Sequence, residues 1–291
     1  MNGKRCLVTG ANSGIGKALS LALAGYGAEV IMVCRDRHRG ESALNEIKSR
    51  IQNSRLELLL VDLSSQRAIR NGAEQFRKKY RRLDVLINNA GALFFERSMT
   101  DDGIESTFAV NYLAPFLFTN LLLDVLKSSA PSRIINVSSE SQKKAFIDFG
   151  DLMGENKYSP MAAYSQSKLA VILFTYELAR RLAGTGVTVN CYYPSAAVRT
   201  NLGKADKGFF RLSFVLMSVL LSPMLISAEK AARTGLYLAA SKRAEKITGK
   251  CYMQDRQGTK ASRVDRPYER EISGRLWEIS KELAGLNKSL V

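Results

Sequence analysis

The stretch Lys4-Arg5-Cys6-Leu7-Val8-Thr9-Gly10-Ala11-Asn12-Ser13-Gly14-Ile15-Gly16 decides the fold. Its first half is a short apolar strand. Its second half is a glycine loop, and a helix follows through Leu19, Leu21, Leu23 and Ala24. Glycines let a backbone approach a pyrophosphate, and a helix N-terminus offers free N–H groups in a positive potential. The spacing is G-x-x-x-G-x-G rather than G-x-G-x-x-G. The flanking strand and helix favour a phosphate-binding loop over an ordinary glycine turn.

The next elements repeat this alternation. Glu29–Cys34 reads as a second strand ending at Arg35-Asp36-Arg37. In dinucleotide folds an acid at this strand end holds a ribose 2′-hydroxyl, and a cation accepts a 2′-phosphate. Arg35 in the turn, with Arg37, Arg39 and Lys17 nearby, favours NADP(H) over a generic basic loop. A helix runs to about Gln52. The third strand is Leu56–Val61, ending in Asp62-Leu63, with Ser64 as cap of the next helix. The fourth is Leu83–Ile87, followed by Asn88-Asn89-Ala90-Gly91. A long helix spans about 102–127 and contains Asn111. The fifth strand is Arg133–Ser139, the sixth Val187–Tyr193, stopped by Pro194, and a last one lies near Lys250–Tyr252. Continuous apolar strands alternating with helices predict a Rossmann-type, doubly wound parallel α/β sheet of about seven strands with helices on both faces. The chain reads as one domain, 1–291. The candidate residues follow strands one to six, at the carboxyl edge where such sheets bind ligands.

Tyr164-Ser165-Gln166-Ser167-Lys168 lies on a helix, because apolar residues continue at helical spacing through Leu169, Ile172, Leu173, Tyr176, Leu178 and Leu182. Tyr164 and Lys168 therefore share a face. A phenol titrates near pH ~10, and a fixed ammonium beside it favours the phenolate. The pair suits general acid/base chemistry. The alternative is a surface lysine beside a packed tyrosine.

Composition limits the partners. Lys+Arg 43 against Asp+Glu 27 give a net charge of +16, which favours nucleic acid, an acidic membrane surface or a phosphate-rich cofactor. The basic residues are scattered, and no helix-turn-helix or RNP-like pattern accompanies them, so nucleic acid is not the expected partner. Of the four cysteines, Cys6, Cys34 and Cys191 sit in apolar strands, and none of the four, Cys251 included, forms a C-x-x-C pair. Buried free thiols are expected, and no disulfide framework or zinc site. The single His38 sits among arginines and makes no metal site. No signal peptide precedes the first strand.

The set Thr9-Gly10-x-x-x-Gly14-Ile15-Gly16, Asp62-Leu63, Asn88-Asn89-Ala90-Gly91, Asn111, Ser138-Ser139 and Tyr164-x-x-x-Lys168 resembles the short-chain dehydrogenase/reductases, in order and over nearly the whole chain. Val33-Cys34-Arg35-Asp36, Asp148–Leu152, Ser167–Ala170 and Arg275-Leu276-Trp277 resemble its retinol dehydrogenase subgroup. The resemblance implies that Gly10, Ser13, Gly14, Ile15 and Gly16 line the pyrophosphate, that Arg35 faces the 2′-phosphate and Asp62 the adenine, that Asn88 and Gly91 border the adenosine ribose, and that Leu63 and Ala90 are further cofactor contacts. It implies that Tyr164 exchanges a proton with the substrate oxygen, that Lys168 holds the nicotinamide ribose and lowers the phenol pKa, and that Ser139 binds the substrate oxygen. Asn111 would seat a water joining Lys168 to solvent. The family pattern prefers Ser139 to Ser138. Two donors at one oxygen also suit a developing alkoxide without the family.

Two departures stand out. Where the family has His-Pro-Gly and a short run to Thr or Ser, this chain has Tyr193-Pro194-Ser195-Ala196-Ala197-Val198-Arg199-Thr200. Serine resists backbone angles that glycine allows, so the nicotinamide-side roles of Pro194 and Thr200 are carried over only by position. Retinol dehydrogenases commonly have an N-terminal membrane anchor, whereas this sequence opens at its first strand. That leaves a soluble relative or a trimmed chain as readings.

The most apolar stretch runs from Phe209-Phe210-Arg211-Leu212 to Met224-Leu225-Ile226, within a substrate-covering segment at about 203–227. A lid with an apolar wall, a helix resting on a membrane through about 208–227, and a spanning helix are its three readings; Arg211, Ser213, Ser218, Ser222 and Pro223 weaken the last. Phe94, Phe95 and Phe146 either line the same pocket or belong to the core. The expected function is an NADP(H)-dependent oxidoreductase acting on a carbonyl or alcohol of an apolar, retinoid-like small molecule. The alternatives are a general carbonyl reductase and a weakly active NADP(H)-binding regulatory protein. The resemblance implies a dimer or tetramer paired through helices 102–127 and 161–182, in the cytoplasm or at a membrane.

Overall fold

The computed structural model describes residues 1–52, 54–194, 226–254, 259–261 and 269–286. β1 (Arg5–Thr9) and β2 (Glu29–Cys34) flank α1 (Gly14–Gly25). α2 (Arg37–Arg50) leads to β3 (Arg55–Leu60), and α3 (Gln66–Lys79) to β4 (Val85–Asn88). α4 (Ser106–Ser128) precedes β5 (Ser132–Val137), and α5 (Pro160–Arg181) precedes β6 (Val187–Pro194). α6 (Ala228–Ala240), β7 (Lys250–Gln254), β8 (Thr259–Ala261) and α7 (Glu269–Leu283) complete the described chain. The sheet order is β3-β2-β1-β4-β5-β6-β7-β8. The expected seven strands are parallel, and β8 adds an antiparallel edge on β7.

Side-chain alternation along the strands builds two cores. Leu7, Ile31, Leu86 and Ile134 face the layer of α3, α4, α5 and α7. Cys6, Val8, Val30 and Ile135 face the layer of α1, α2 and α6. With both faces covered, the strands are apolar throughout, as parallel strands require. All four cysteines are buried and free, and burial pushes the Cys6 thiol up to about 12.

Two boundaries differ from those expected from the sequence, for identifiable reasons. The long helix begins at Ser106, not near 102, because Gly103 sits at φ +71 and breaks the turn. Buried Glu105 then caps it, accepting from Thr107 N and Phe108 N at 2.8 Å each. Ser65, not Ser64, caps α3: its hydroxyl accepts from Ala68 N at 3.3 Å. Ser64 instead donates its N–H and hydroxyl to Asp62 Oδ1, at 2.9 and 2.7 Å. Loss of a helix cap costs about 1 kcal/mol. Ser65→Ala should therefore lower stability by about that amount in urea unfolding, with an unchanged denaturant slope.

α4 is long and apolar enough to cross a membrane, but 72% of its apolar window is buried inside this fold, as in a core helix. α7 covers part of the α4–α5 face. Trp277 meets Phe116 edge-on at 5.0 Å and stacks on Phe174 at 5.9 Å, and the Arg181 guanidinium lies 4.4 Å over its ring. Tyr112 Oη and Ser280 Oγ lie 2.7 Å apart across the same contact.

Candidate active site

The glycine loop leaves β1 with Gly10 at φ +65 and enters α1 through Gly14 at φ +52. A Cβ on Gly16 would collide with the Gly10 carbonyl oxygen and lie 2.5 Å from Asn89 Nδ2. One on Gly10 would lie 2.9 Å from Ala90 Cα. The loop is held from below: Thr9 Oγ1 accepts from Asn89 N at 2.9 Å and Ala90 N at 3.0 Å, and Asn89 Nδ2 donates to Thr9 O at 2.9 Å. Ser13 is the N-cap of α1, but its hydroxyl makes no capping bond, and the first turn carries no acid. Uncapped N–H groups in a cradle that admits no side chain fit a dinucleotide pyrophosphate. Ile15 is a partly buried side chain on the α1 layer.

At the end of β2, Asp36 has turned away from any ribose to cap α2, accepting from Arg39 N at 2.8 Å. Arg35 is exposed and has no ion-pair partner among the described residues. Lys17 is held by Glu46 at 2.7 Å, and Arg37 by Glu41 at 3.4 Å, so neither is a free cation. Leu63 joins Thr9, Asn88, Ala90, Ala114, Pro115 and Phe118 around a small apolar recess beside the loop.

Asn88 does not present its side chain to that edge. Its Nδ2 donates to Thr119 Oγ1 at 2.9 Å and Asn136 Oδ1 at 2.8 Å, inside the fold. The β4–β5 register places Asn88 opposite Asn136, and this pairing turns the amide inward. Only its backbone can border a ribose. Its neighbour Asn89, which the sequence reading gave no role, closes the glycine loop instead.

Asn111 lies in a π turn, Ala109–Leu113, inside α4. Its Oδ1 accepts from Ala92 N at 2.7 Å, and its Nδ2 donates to Ala92 O at 2.9 Å and to Ser167 Oγ at 3.1 Å. A Cβ on Gly91 would lie 3.1 Å from Lys168 Nζ and 3.4 Å from Asn111 Oδ1, so glycine lets these groups converge. Tyr164 and Lys168 share one face of α5 as predicted, with Lys168 Nζ 5.7 Å from the Tyr164 ring centroid. Both are buried. Lys168 Nζ donates to Val137 O at 3.1 Å.

The two serines after β5 separate cleanly. Ser139 lies close enough to Tyr164 to favour its phenolate, while Ser138 Oγ donates to Lys168 O at 2.8 Å. Titration differs from expectation: burial raises the Tyr164 pKa, opposed by Ser139. Burial also pushes Lys168 down to about 8. Each group has lost water, and burial disfavours its charged form.

Pro194 ends β6, paired with Gln254. Thr200 and nearly all of the 203–227 segment lie outside the described residues. Phe94 and Phe95 are half-buried and Phe146 is 70% exposed, so none belongs to the core. No cluster of three metal-ligating side chains occurs among the described residues.

The comparisons agree with this geometry. The sequence model of the short chain dehydrogenase family matches residues 4–207. Human retinol dehydrogenase 13 is 43% identical over 289 residues, covering 98% of this chain and 85% of that protein. A solved Mycobacterium paratuberculosis protein is 32% identical at a TM-score of 0.75, covering 98% of this chain and 94% of that one. A short chain dehydrogenase from Burkholderia cenocepacia in complex with NADP is 26% identical at a TM-score of 0.67, covering 87% and 97%. With the glycine cradle, the doubly wound sheet and the Ser–Tyr–Lys cluster at its carboxyl edge, this chain belongs to the short-chain dehydrogenase/reductase family, in its retinol dehydrogenase subgroup.

Proposed function

We propose that this oxidoreductase uses NADP(H) to interconvert a carbonyl and an alcohol on an apolar, retinoid-like small molecule. The observation that carries the reading is the convergence of Ser139 Oγ, the Tyr164 hydroxyl and Lys168 Nζ beside the glycine cradle. When bound, NADPH supplies a hydride. Tyr164 gives its proton to the carbonyl oxygen in reduction and takes it back in oxidation. Ser139 donates a second hydrogen bond to that oxygen, so charge develops between two fixed donors. Lys168 holds the nicotinamide ribose, and its charge limits the cost of the tyrosinate. Asn111 seats the water that returns a proton to Lys168. The names of the retinol dehydrogenase relatives support an apolar substrate, which favours work in the cytoplasm or at a membrane surface, with the 208–227 segment as contact. Self-association as a dimer or tetramer would use the parts of α4 and α5 that α7 leaves uncovered.

NADP(H) preference rests on Arg35, which has no ion-pair partner among the described residues, beside an Asp36 committed to capping. A charged hydrogen bond is worth roughly tenfold or more in affinity. Arg35→Ala should weaken NADPH binding about tenfold and leave NADH binding within about twofold, read by cofactor fluorescence. Equal losses for both cofactors would remove Arg35 as the 2′-phosphate contact.

Lys168 also sets a pH limit. Its pKa in the free enzyme, about 8, lies below the ordinary lysine value, so the ammonium is lost as pH rises through that point. kcat/KM for NADPH reports the free enzyme. It should fall about tenfold per pH unit above pH 8, and Lys168→Arg, whose charge persists, should abolish that limb.

A further inference from the structure

The serine that the sequence reading set aside has an assignable task. We propose that Ser138 is a positioning residue that fixes Lys168 to the end of β5 by its backbone while the neighbouring Val137 carbonyl fixes the lysine by its ammonium. The geometry is a closed ring. Ser138 Oγ donates to Lys168 O at 2.8 Å, and Lys168 Nζ donates to Val137 O at 3.1 Å. Consecutive residues of one strand end thus hold both ends of one residue. Ser138 is itself anchored: its N–H donates to Tyr192 O on β6 at 2.8 Å. Ser138 is 4% exposed and Lys168 3%, so water does not replace the bond if it is lost.

The ring differs from the serine contact made within this helix. Ser167 Oγ donates to Tyr164 O at 2.7 Å, but that bond is local to α5 and is steadied by Asn111. Ser138 is the hydroxyl that ties α5 to the sheet at Lys168. A lysine has four rotatable carbons, and a buried one with a single described acceptor depends on that acceptor for its charge. Around Nζ, α5 presents Tyr164, β5 the Val137 carbonyl, and α4 and the Gly91 loop only the Asn111 amide and glycine backbone. The titratable group facing Nζ from its own helix is Tyr164, with its ring centroid 5.7 Å away. Asn136 Nδ2 still holds α5 at Thr175 Oγ1, so without the Ser138 bond only the Lys168 end of the contact shifts; Nζ moves away from the Val137 carbonyl, and the ammonium is less favoured.

The inference rests on the proposed roles of Tyr164 and Lys168, but its test does not need turnover. The probe is the ε-carbon resonance of Lys168 in protein labelled with carbon-13 lysine, free of cofactor and substrate, assigned by its loss in Lys168→Arg. In the wild type it should titrate near pH 8. In Ser138→Ala the midpoint should fall by about half a pH unit or more, since Nζ then sits farther from the Val137 carbonyl that favours its charged form. Ser138→Thr, which keeps a hydroxyl, should restore it, and Ser138→Cys, a poor donor, should follow alanine. Where turnover is measurable, kcat should fall roughly fivefold to tenfold in alanine and cysteine and recover in threonine. An unchanged Lys168 midpoint in folded Ser138→Ala or Ser138→Cys overturns the proposal. So does a loss in all three variants alike, which marks a packing role. Absence of turnover in the wild type would count against the function, not against the ring.

Discussion

Tyr164→Phe should bind NADPH within about twofold of the wild type and lose about 10³ of kcat in carbonyl reduction. The binding half follows from geometry. Phenylalanine keeps the buried ring that packs near Lys168 Nζ and removes only the hydroxyl that meets Ser139. The glycine cradle and Arg35 stand on other elements and are untouched. The catalytic half follows from proton accounting. The developing alkoxide then has one donor, Ser139, and no group poised to give it a proton. General acid/base groups contribute about 10²–10⁴ in rate. Burial raises the Tyr164 pKa, so the phenol enters reduction protonated, as an acid must. Kinetics with saturating NADPH, beside a fluorescence titration of the same variant, check both halves. A kcat within about tenfold of the wild type would assign the proton to another group.

Gly16→Ala should remove most cofactor affinity, by about a hundredfold or more, and destabilise the protein by about 3 kcal/mol. The added methyl meets the Gly10 carbonyl and the Asn89 amide, which is itself bonded to Thr9 O. Neither neighbour is the free end of a flexible chain. α1 must therefore move off the loop, taking its N-terminal N–H groups away from the phosphate position. Overpacking of this kind costs roughly 1–3 kcal/mol, and backbone neighbours put this site at the upper end. Gly274→Ala is the control. It lies in α7, where an added methyl would enter open space, and should be neutral to slightly stabilising, by about 0.5–1 kcal/mol. NADPH titration and urea unfolding of both variants test the pair. Ordinary affinity in Gly16→Ala would show that the loop tolerates a side chain.

What could be read from sequence was what neighbours in the chain decide. The glycine cradle, the two-sided apolar strands and the shared face of Tyr164 and Lys168 all follow from local spacing. The misses come from contacts between distant segments. Asn88 and Asn89 are identical in type and adjacent, and only the β4–β5 register tells which faces inward. Ser138 and Ser139 are told apart in the sequence only by the family pattern; their separate contacts emerge when α5 is laid against the end of β5. Trp277 covers Phe116 and Phe174, partners about a hundred or more positions away, so no periodicity announces it. Ser64 and Ser65 could each cap a helix, and the Asx-type bonds of Asp62 to Ser64 decide between them. The pKa of Lys168 depends on burial, which spacing alone does not give.

Conversion of all-trans-retinal to the alcohol by the purified protein, with NADPH and with NADH in parallel and quantified by chromatography, tests the central claim most directly. Alcohol should form at least about tenfold faster with NADPH than with NADH, and not in Tyr164→Phe. Tight NADPH binding without alcohol from retinal, medium-chain aldehydes or bulky aromatic ketones would contradict it, as would turnover that survives in Tyr164→Phe.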